Sequence, residues 1–305
     1  MELKTVATRH VPVRYYEGGE GPALVYLHGA GGVTAEDPFL NALAEKHHVY
    51  APLIPGYGDS EECPEIRDML DFTLHGWDVV EALGLTDPIL VGHSMGGMIA
   101  AEMAAIQPND VSRLALIAPA GLWDDDHPIA DLFATRPYEM PALLFHDAVA
   151  GAAMMTAGRN VEDPGFLQTY LVANARQLGM AGRILFPIPE RGLAQRLYRI
   201  KARTVIVWGD SDRLIPPTYA HGFKKGIKGA ELVSIPERGL SERLYRIRAK
   251  TVVVWGDSDR LIPPVYAHGF KKAIAGAELV SIPEAGHMVI LEKTAAVVEA
   301  VGRLG

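Results

Sequence analysis

The sequence predicts an α/β fold: a mostly parallel central sheet covered by helices, with a helical cap and a duplicated strand–helix–strand segment. Three observations point there. Strand-like and helix-like runs alternate through residues 1–121, as crossover units between parallel strands require. A serine framed by glycines, "GHSMGG" (92–97), stands between a β pattern and a helical pattern. Late in the chain one segment occurs twice, and each copy reads as helix, strand, loop, helix, strand.

In chain order, "VPVRYY" (11–16) reads as a strand, and "ALVYLHG" (23–29) as a short buried strand ending in a glycine loop. "FLNALAEKH" reads as a helix, and "HVYAPLIPG" as a strand stopped by Pro55 and Gly56. "DMLDFTLHGWDVVEALG" is a long amphipathic helix with a glycine near its end. "PILVGHS" is a strand, "MGGMIAAEMAAIQP" a helix stopped by Pro108, and "SRLALIAPAG" a further strand. Residues 122–186 then show helical runs without a convincing strand, as expected of a helical cap inserted above the sheet.

Residues 190–236 and 237–283 differ at eight positions. The tripeptide Ile-Pro-Glu recurs at residues 188–190, 235–237 and 282–284, a fitting junction for a tandem duplication. Two copies after an unrelated sheet do not make a solenoid, which stacks three or more units. The expected division is therefore 1–121 as the N-terminal part of the core and 122–186 as the cap. Residues 187–236 are then surplus copy one, and 237–305 the C-terminal part of the core including copy two.

Composition narrows the function classes. The 305 residues are 49% apolar and 22% charged, an ordinary globular balance with ample material for a core. A net charge of −8 argues against nucleic acid as a partner. No apolar run approaches the ~20 residues of a spanning helix, and the polar N-terminus carries no apolar signal core. The single cysteine, Cys63, excludes an internal disulfide. A cytoplasmic protein without membrane contact is the expectation.

The chemistry gathers around Ser94. A serine on a sharp strand-to-helix turn holds its hydroxyl out above the sheet, and the glycines at 92 and 96 leave room for neighbouring backbone. The hydroxyl needs a base, expected late in the chain after an acid. Of eleven histidines, His287 in "PEAGHM" alone has that placement. The acid that would fix its tautomer is Asp259, 28 residues before it, or the alternative acid Asp212. In copy one, 28 residues after Asp212, the histidine's place is taken by Leu240. An oxyanion site is expected from the Met95 N–H and from "HGAGG" (28–32), where Ala30 N–H is assigned as the second donor and Gly31 competes. No glycine loop has the ending of a phosphate cradle, and no His/Cys cluster has metal-ligand spacing, so neither cofactor nor metal is expected.

Together "YLHGAGG", "PGYGDS", "GHSMGG", "VVVWGDSDRLIPP" and "AGHM" resemble the α/β-hydrolase family, chiefly its small esterases and its carbon–carbon hydrolases. The resemblance implies Ser94 as nucleophile, Asp259 as acid and His287 as base, acting on a small carboxylic ester through an acyl-enzyme. The carbon–carbon hydrolases usually carry Trp after the catalytic histidine. Met288 stands there, which favours ester hydrolysis. A non-catalytic ligand-binding protein is a further reading if the duplication displaces His287. Because His287 follows the last strand of copy two, copy two is expected to complete the sheet. The unused copy would bury its apolar strands on the same molecule or on a second chain, giving a homodimer.

Overall fold

The computed structural model describes residues 1–156, 159, 163–186, 192–236, 249–260, 263–286 and 288–303. The chain forms two compact units, Met1–Pro236 and Glu237–Gly305.

The first unit is built on an eight-stranded sheet. Its strands are β1 (Glu2–Ala7), β2 (Pro12–Gly18), β3 (Ala23–Leu27), β4 (His48–Pro52), β5 (Ile89–His93), β6 (Arg113–Ile117), β7 (Arg203–Gly209) and β8 (Glu231–Ile235). They lie in the order β1-β2-β4-β3-β5-β6-β7-β8. Only the pairings of β2 with β1 and with β4 are antiparallel; the rest are parallel. Helices α1 (Pro38–Ala44), α2 (Met69–Ala82) and α3 (Met95–Ile106) follow β3, β4 and β5. Residues Met95 to Ala105 of α3 are all buried, which explains a helix apolar on every side. Within 122–186 lie α4 (Met140–Leu144), α5 (Ala148–Met155) and α6 (Pro164–Leu185).

The strand order corrects one expectation. Copy one, with β7, α7 (Thr218–Gly226) and β8, completes the sheet; β7 pairs with β6 from Arg113↔Arg203 to Ile117↔Val207. It is not the surplus segment, and copy two is not in the sheet. The seating is specific. Arg196 grips the buried carboxylate of Glu102 on α3 through Nε (2.8 Å) and Nη2 (2.6 Å). Arg199 Nε donates to Ala105 O at 2.7 Å, and Lys201 Nζ to Asn109 Oδ1 at 3.0 Å. Trp208 (1% exposed) and Phe223 (0%) close the layer between sheet and helix. Three reasons favour copy one. It follows the cap directly, so it reaches β6 without looping out another segment. It also carries Ile206, fully buried, where copy two has Val253. Gly226 adds to this, because a Cβ there would stand 2.6 Å from Leu197 Cδ1 and copy two has Ala273 at that place.

The second unit pairs β9 (Val252–Gly256) with β10 (Glu278–Ile282) in parallel and adds α8 (Val265–Ala273), α9 (Val289–Glu292) and α10 (Thr294–Gly302). Helix α10 packs on both strands. Its core is the internal layer of the repeat, with Trp255 and Phe270 centroids 5.9 Å apart.

Candidate active site

Ser94 follows β5 and caps α3 with φ 53° and ψ −117°, a backbone region that costs a non-glycine residue about 1–3 kcal/mol. The turn is pinned from three sides. Ser94 N donates to Ile117 O at 2.9 Å, while Ser94 O accepts from Ala120 N at 3.0 Å and Met98 N at 3.1 Å. The flanking glycines are required by close approach. A Cβ on Gly96 would lie 2.1 Å from Leu27 O, and one on Gly92 would lie 2.4 Å from Gly96 O. Thus the sharp bend exists because β3 runs directly behind it.

Strand β3 lies between β4 and β5, where chain connections diverge to opposite sides, and the crevice beyond the strand ends at such a point suits a ligand. The loop His28–Gly32 leaves β3 there. A Cβ built on Gly29 would meet Ser94 Cβ at 3.3 Å, so the loop lies against the nucleophile. Its two candidate donors sit on pinned peptides. Gly29 O accepts from Gly32 N at 3.0 Å and from His28 Nδ1 at 2.8 Å. A planar peptide then directs the Ala30 N–H the opposite way. Ala30 O accepts from the buried Tyr57 hydroxyl at 3.1 Å, which orients the Gly31 N–H in the same manner. Met95, first residue of α3, has an N–H with no acceptor inside the helix.

His28 is fully buried and its role is structural. Ile54 N donates to its Nε2 at 3.1 Å, so the proton is on Nδ1. Burial depresses its pKa to about 4, and the ring stays neutral. The part played by Tyr57 was missed in the sequence; only its place in "PGYGDS" marks it.

Helix α6 covers this loop cluster. Arg176 of α6 donates to Ser60 O at 3.2 Å and pairs with Glu62 at 3.5 Å. A Cβ on Gly32 would meet Gln177 Nε2 at 3.6 Å, and one on Gly56 would meet Met180 Cγ at 2.6 Å, so α6 overhangs both loops. The Tyr219 hydroxyl ties copy one to the cap's start, accepting from Asp124 N and donating to His127 O, each at 2.9 Å.

The two acids have parted company. Asp212 follows β7 in the same sheet as Ser94. Its Oδ1 accepts from Ile215 N at 2.9 Å and Leu214 N at 3.0 Å. Burial raises its pKa and these N–H groups oppose the rise. Asp259 follows β9 in the second unit and is buried at 7% exposure. Its loop is stitched to the one before His287: Ser258 N donates to Ala285 O at 3.0 Å, and Glu284 N to Asp257 Oδ1 at 2.9 Å. His287 itself lies outside the described residues, as does Leu240. The structure therefore sets the loop that carries Ala30 against Ser94 at Gly29, places Asp212 in the same sheet, and carries Asp259 on a separate unit. Among the described residues no cluster of three metal-binding side chains occurs, and no helix is long and apolar enough to cross a membrane.

Comparison with known proteins places the chain. A family profile described as "Alpha/beta hydrolase family" matches residues 24–241. The chain is 29% identical over 245 residues to a 2-hydroxy-6-oxo-6-phenylhexa-2,4-dienoate hydrolase of Comamonas testosteroni, covering 70% of this chain and 78% of that one. It is 30% identical over 185 residues to an sn-1-specific diacylglycerol lipase of Mus musculus, spanning 59% of each. The fold is shared with an esterase from Rhodococcus sp. ECU1013 at TM-score 0.57 and 19% identity, covering 77% of this chain and 90% of that one.

Proposed function

Because the chain belongs to the alpha/beta hydrolase family, we propose that it is a serine hydrolase that cleaves small carboxylic esters through an acyl-enzyme on Ser94. One observation carries this reading: the strained, triply pinned turn at Ser94, with the β3 loop packed against it. His287 takes the hydroxyl proton as Ser94 Oγ attacks the ester carbonyl. The developing oxyanion is held by the N–H groups of Met95 and Ala30, each contributing about 3 kcal/mol by analogy with single-donor removals. His287 then protonates the leaving alcohol and activates water for deacylation. Asp259 orients the imidazole, supported by the stitched loops of copy two. The small-molecule ester is the expected partner, and the reaction draws on no cofactor.

Turnover of a short p-nitrophenyl ester, with Ser94→Ala as control, tests the claim. A rate unchanged in the variant ends it. Fluorophosphonate labelling of Ser94 separates an enzyme from a ligand-binding protein on the same scaffold. A carbon–carbon hydrolase is the second reading, favoured by the name of the Comamonas relative and opposed by Met288. Turnover of dienone substrates in preference to esters would select it.

A further inference from the structure

Helix α6 turns one stripe of side chains inward, at alternating spacings of four and three residues: Tyr170, Asn174, Gln177, Ala181 and Ile184. In the second half of the stripe Ala181 and Ile184 are fully buried, as a core-facing stripe requires. In the first half the stripe carries a phenol and two carboxamides, and all three are only half-buried. A packed stripe favours leucine at such places, because an amide drawn out of water regains nothing unless it is hydrogen-bonded. Yet neither the Asn174 nor the Gln177 side chain makes a hydrogen bond among the described residues. The cation between them is engaged elsewhere: Arg176 donates to Gly58 O at 3.4 Å and to Ser60 O at 3.2 Å, and pairs with Glu62.

This polar stretch overhangs the loop that lies against Ser94. A Cβ built on Gly32 would stand 3.6 Å from Gln177 Nε2, and one built on Gly29 would stand 3.3 Å from Ser94 Cβ. Gly29 and Gly32 are the two ends of one turn, closed by Gly32 N donating to Gly29 O at 3.0 Å. The ends of such a turn stand less than about 7 Å apart, which puts the Gln177 amide on the order of 10 Å from Ser94. An acyl chain of about four carbons bearing a hydroxyl, with a hydrogen bond of about 2.9 Å at its end, covers that gap. Asn174, three residues earlier on the same stripe, extends the polar strip by about 5–6 Å.

We propose that Gln177 and Asn174 recognise the acyl part of the ester and select acyl groups that carry a neutral hydroxyl over plain alkyl chains. This rests on the serine-hydrolase reading and names the substrate class of that same site. A carboxamide offers both an N–H donor and a C=O acceptor, so it meets a hydroxyl in either sense. It carries no charge, and with Arg176 engaged the strip offers a carboxylate no cation. A plain alkyl chain would strip water from the two amides and return no hydrogen bond, which is how such a site rejects it. Each amide then contributes up to about ten-fold to the preference.

Hydrolysis of ethyl 3-hydroxybutyrate, ethyl butyrate and monoethyl succinate by the full chain, followed by pH-stat, tests the assignment. The kcat/KM for the hydroxy ester should exceed that for the plain ester about ten-fold, and the succinate should be the poorest substrate. Gln177→Leu should remove most of that ratio and Asn174→Leu about three-fold of it. Gln177→Met, close to glutamine in length, should act as Gln177→Leu does and guards against a packing artefact. Because these changes replace unpartnered amides on a packed stripe, the melting temperature should hold or rise. A ratio near one, a ratio that the variants leave untouched, a preference for the succinate, or a fall in melting temperature in all three variants overturns the proposal. Calorimetric titration of the hydroxy and plain esters into Ser94→Ala separates it from the hydrolase reading. If no ester turns over while Ser94→Ala binds the hydroxy ester more tightly and added Gln177→Leu removes the difference, the hydrolase reading fails and the recognition stands. If both esters turn over without preference, the hydrolase reading stands and the recognition falls. Neither turnover nor a binding preference would overturn both.

Discussion

Trp208 and Trp255 stand at the same place in two segments that differ at eight positions, yet they live in different surroundings. Trp208 is 1% exposed, with its Nε1 donating to Ile215 O at 3.1 Å, beneath a sheet that continues on both sides. Trp255 is only partly buried, in a unit with two strands. Tyr219 bonds the cap backbone, whereas Tyr266 is mostly exposed. The lesson is that the repeat's secondary structure is local, since both copies build the same strand, helix and strand. Its burial is borrowed from β6, α3 and the segment around Asp124–His127, and only copy one is packed there.

The sharpest way to break this comparison is to make one change in both copies. Asp259→Asn should lower ester turnover by about 10³–10⁴-fold, as for loss of a triad acid, and Asp212→Asn should leave it within about three-fold. Steady-state kinetics on the two variants decides which copy serves the reaction, and the opposite order would assign the acid to copy one. Stability should show the reverse asymmetry. Trp208→Ala removes a fully buried ring and should cost about 3–5 kcal/mol in urea unfolding. Trp255→Ala, less buried, should cost well under half of that. Equal losses would mean that the two copies share one environment.

Acid sensitivity should belong to the first unit. His28 and His75 are buried with pKa values depressed to about 4 from an ordinary 6.5. The unfolded chain therefore binds more protons between these values, so stability is full above pH 6.5, falls as pH drops, and levels below pH 4. Each histidine contributes up to about 3 kcal/mol to the fall. Urea titrations across that range, read by fluorescence in a Trp255→Phe background that silences the second unit, should show the slope. His28→Asn should lessen it, and an unchanged slope would clear His28 of the effect. The smallest contrast is Tyr219→Phe against Tyr266→Phe. The first loses the bonds to Asp124 and His127, worth about 1 kcal/mol, and the second should change melting little.

Much of this molecule was legible before any coordinates. The alternating runs anticipated a covered parallel sheet, because strand and helix periods are written in local apolar spacing. The elbow was legible because "GHSMGG" needs glycine at 92 and 96 wherever β3 passes close behind. Less could be read about the loop that follows β3. His28 and Tyr57 pin it through contacts between segments far apart in sequence, which no local pattern records.

By itself the sequence determined most of the elements, though neither β1 nor the short 3-10 turn Leu197–Arg199, together with the bend at Ser94 and the existence of two near-identical copies with one histidine following only the second. Tertiary structure alone decided which copy sits beside β6. That choice turns on a methylene at 206, the absence of one at 226, and the shorter path from the cap, each felt only when side chains are packed together. Interior fit weighs such differences and sequence pattern does not, because periodicity reports which face is apolar and not how well that face fills its seat.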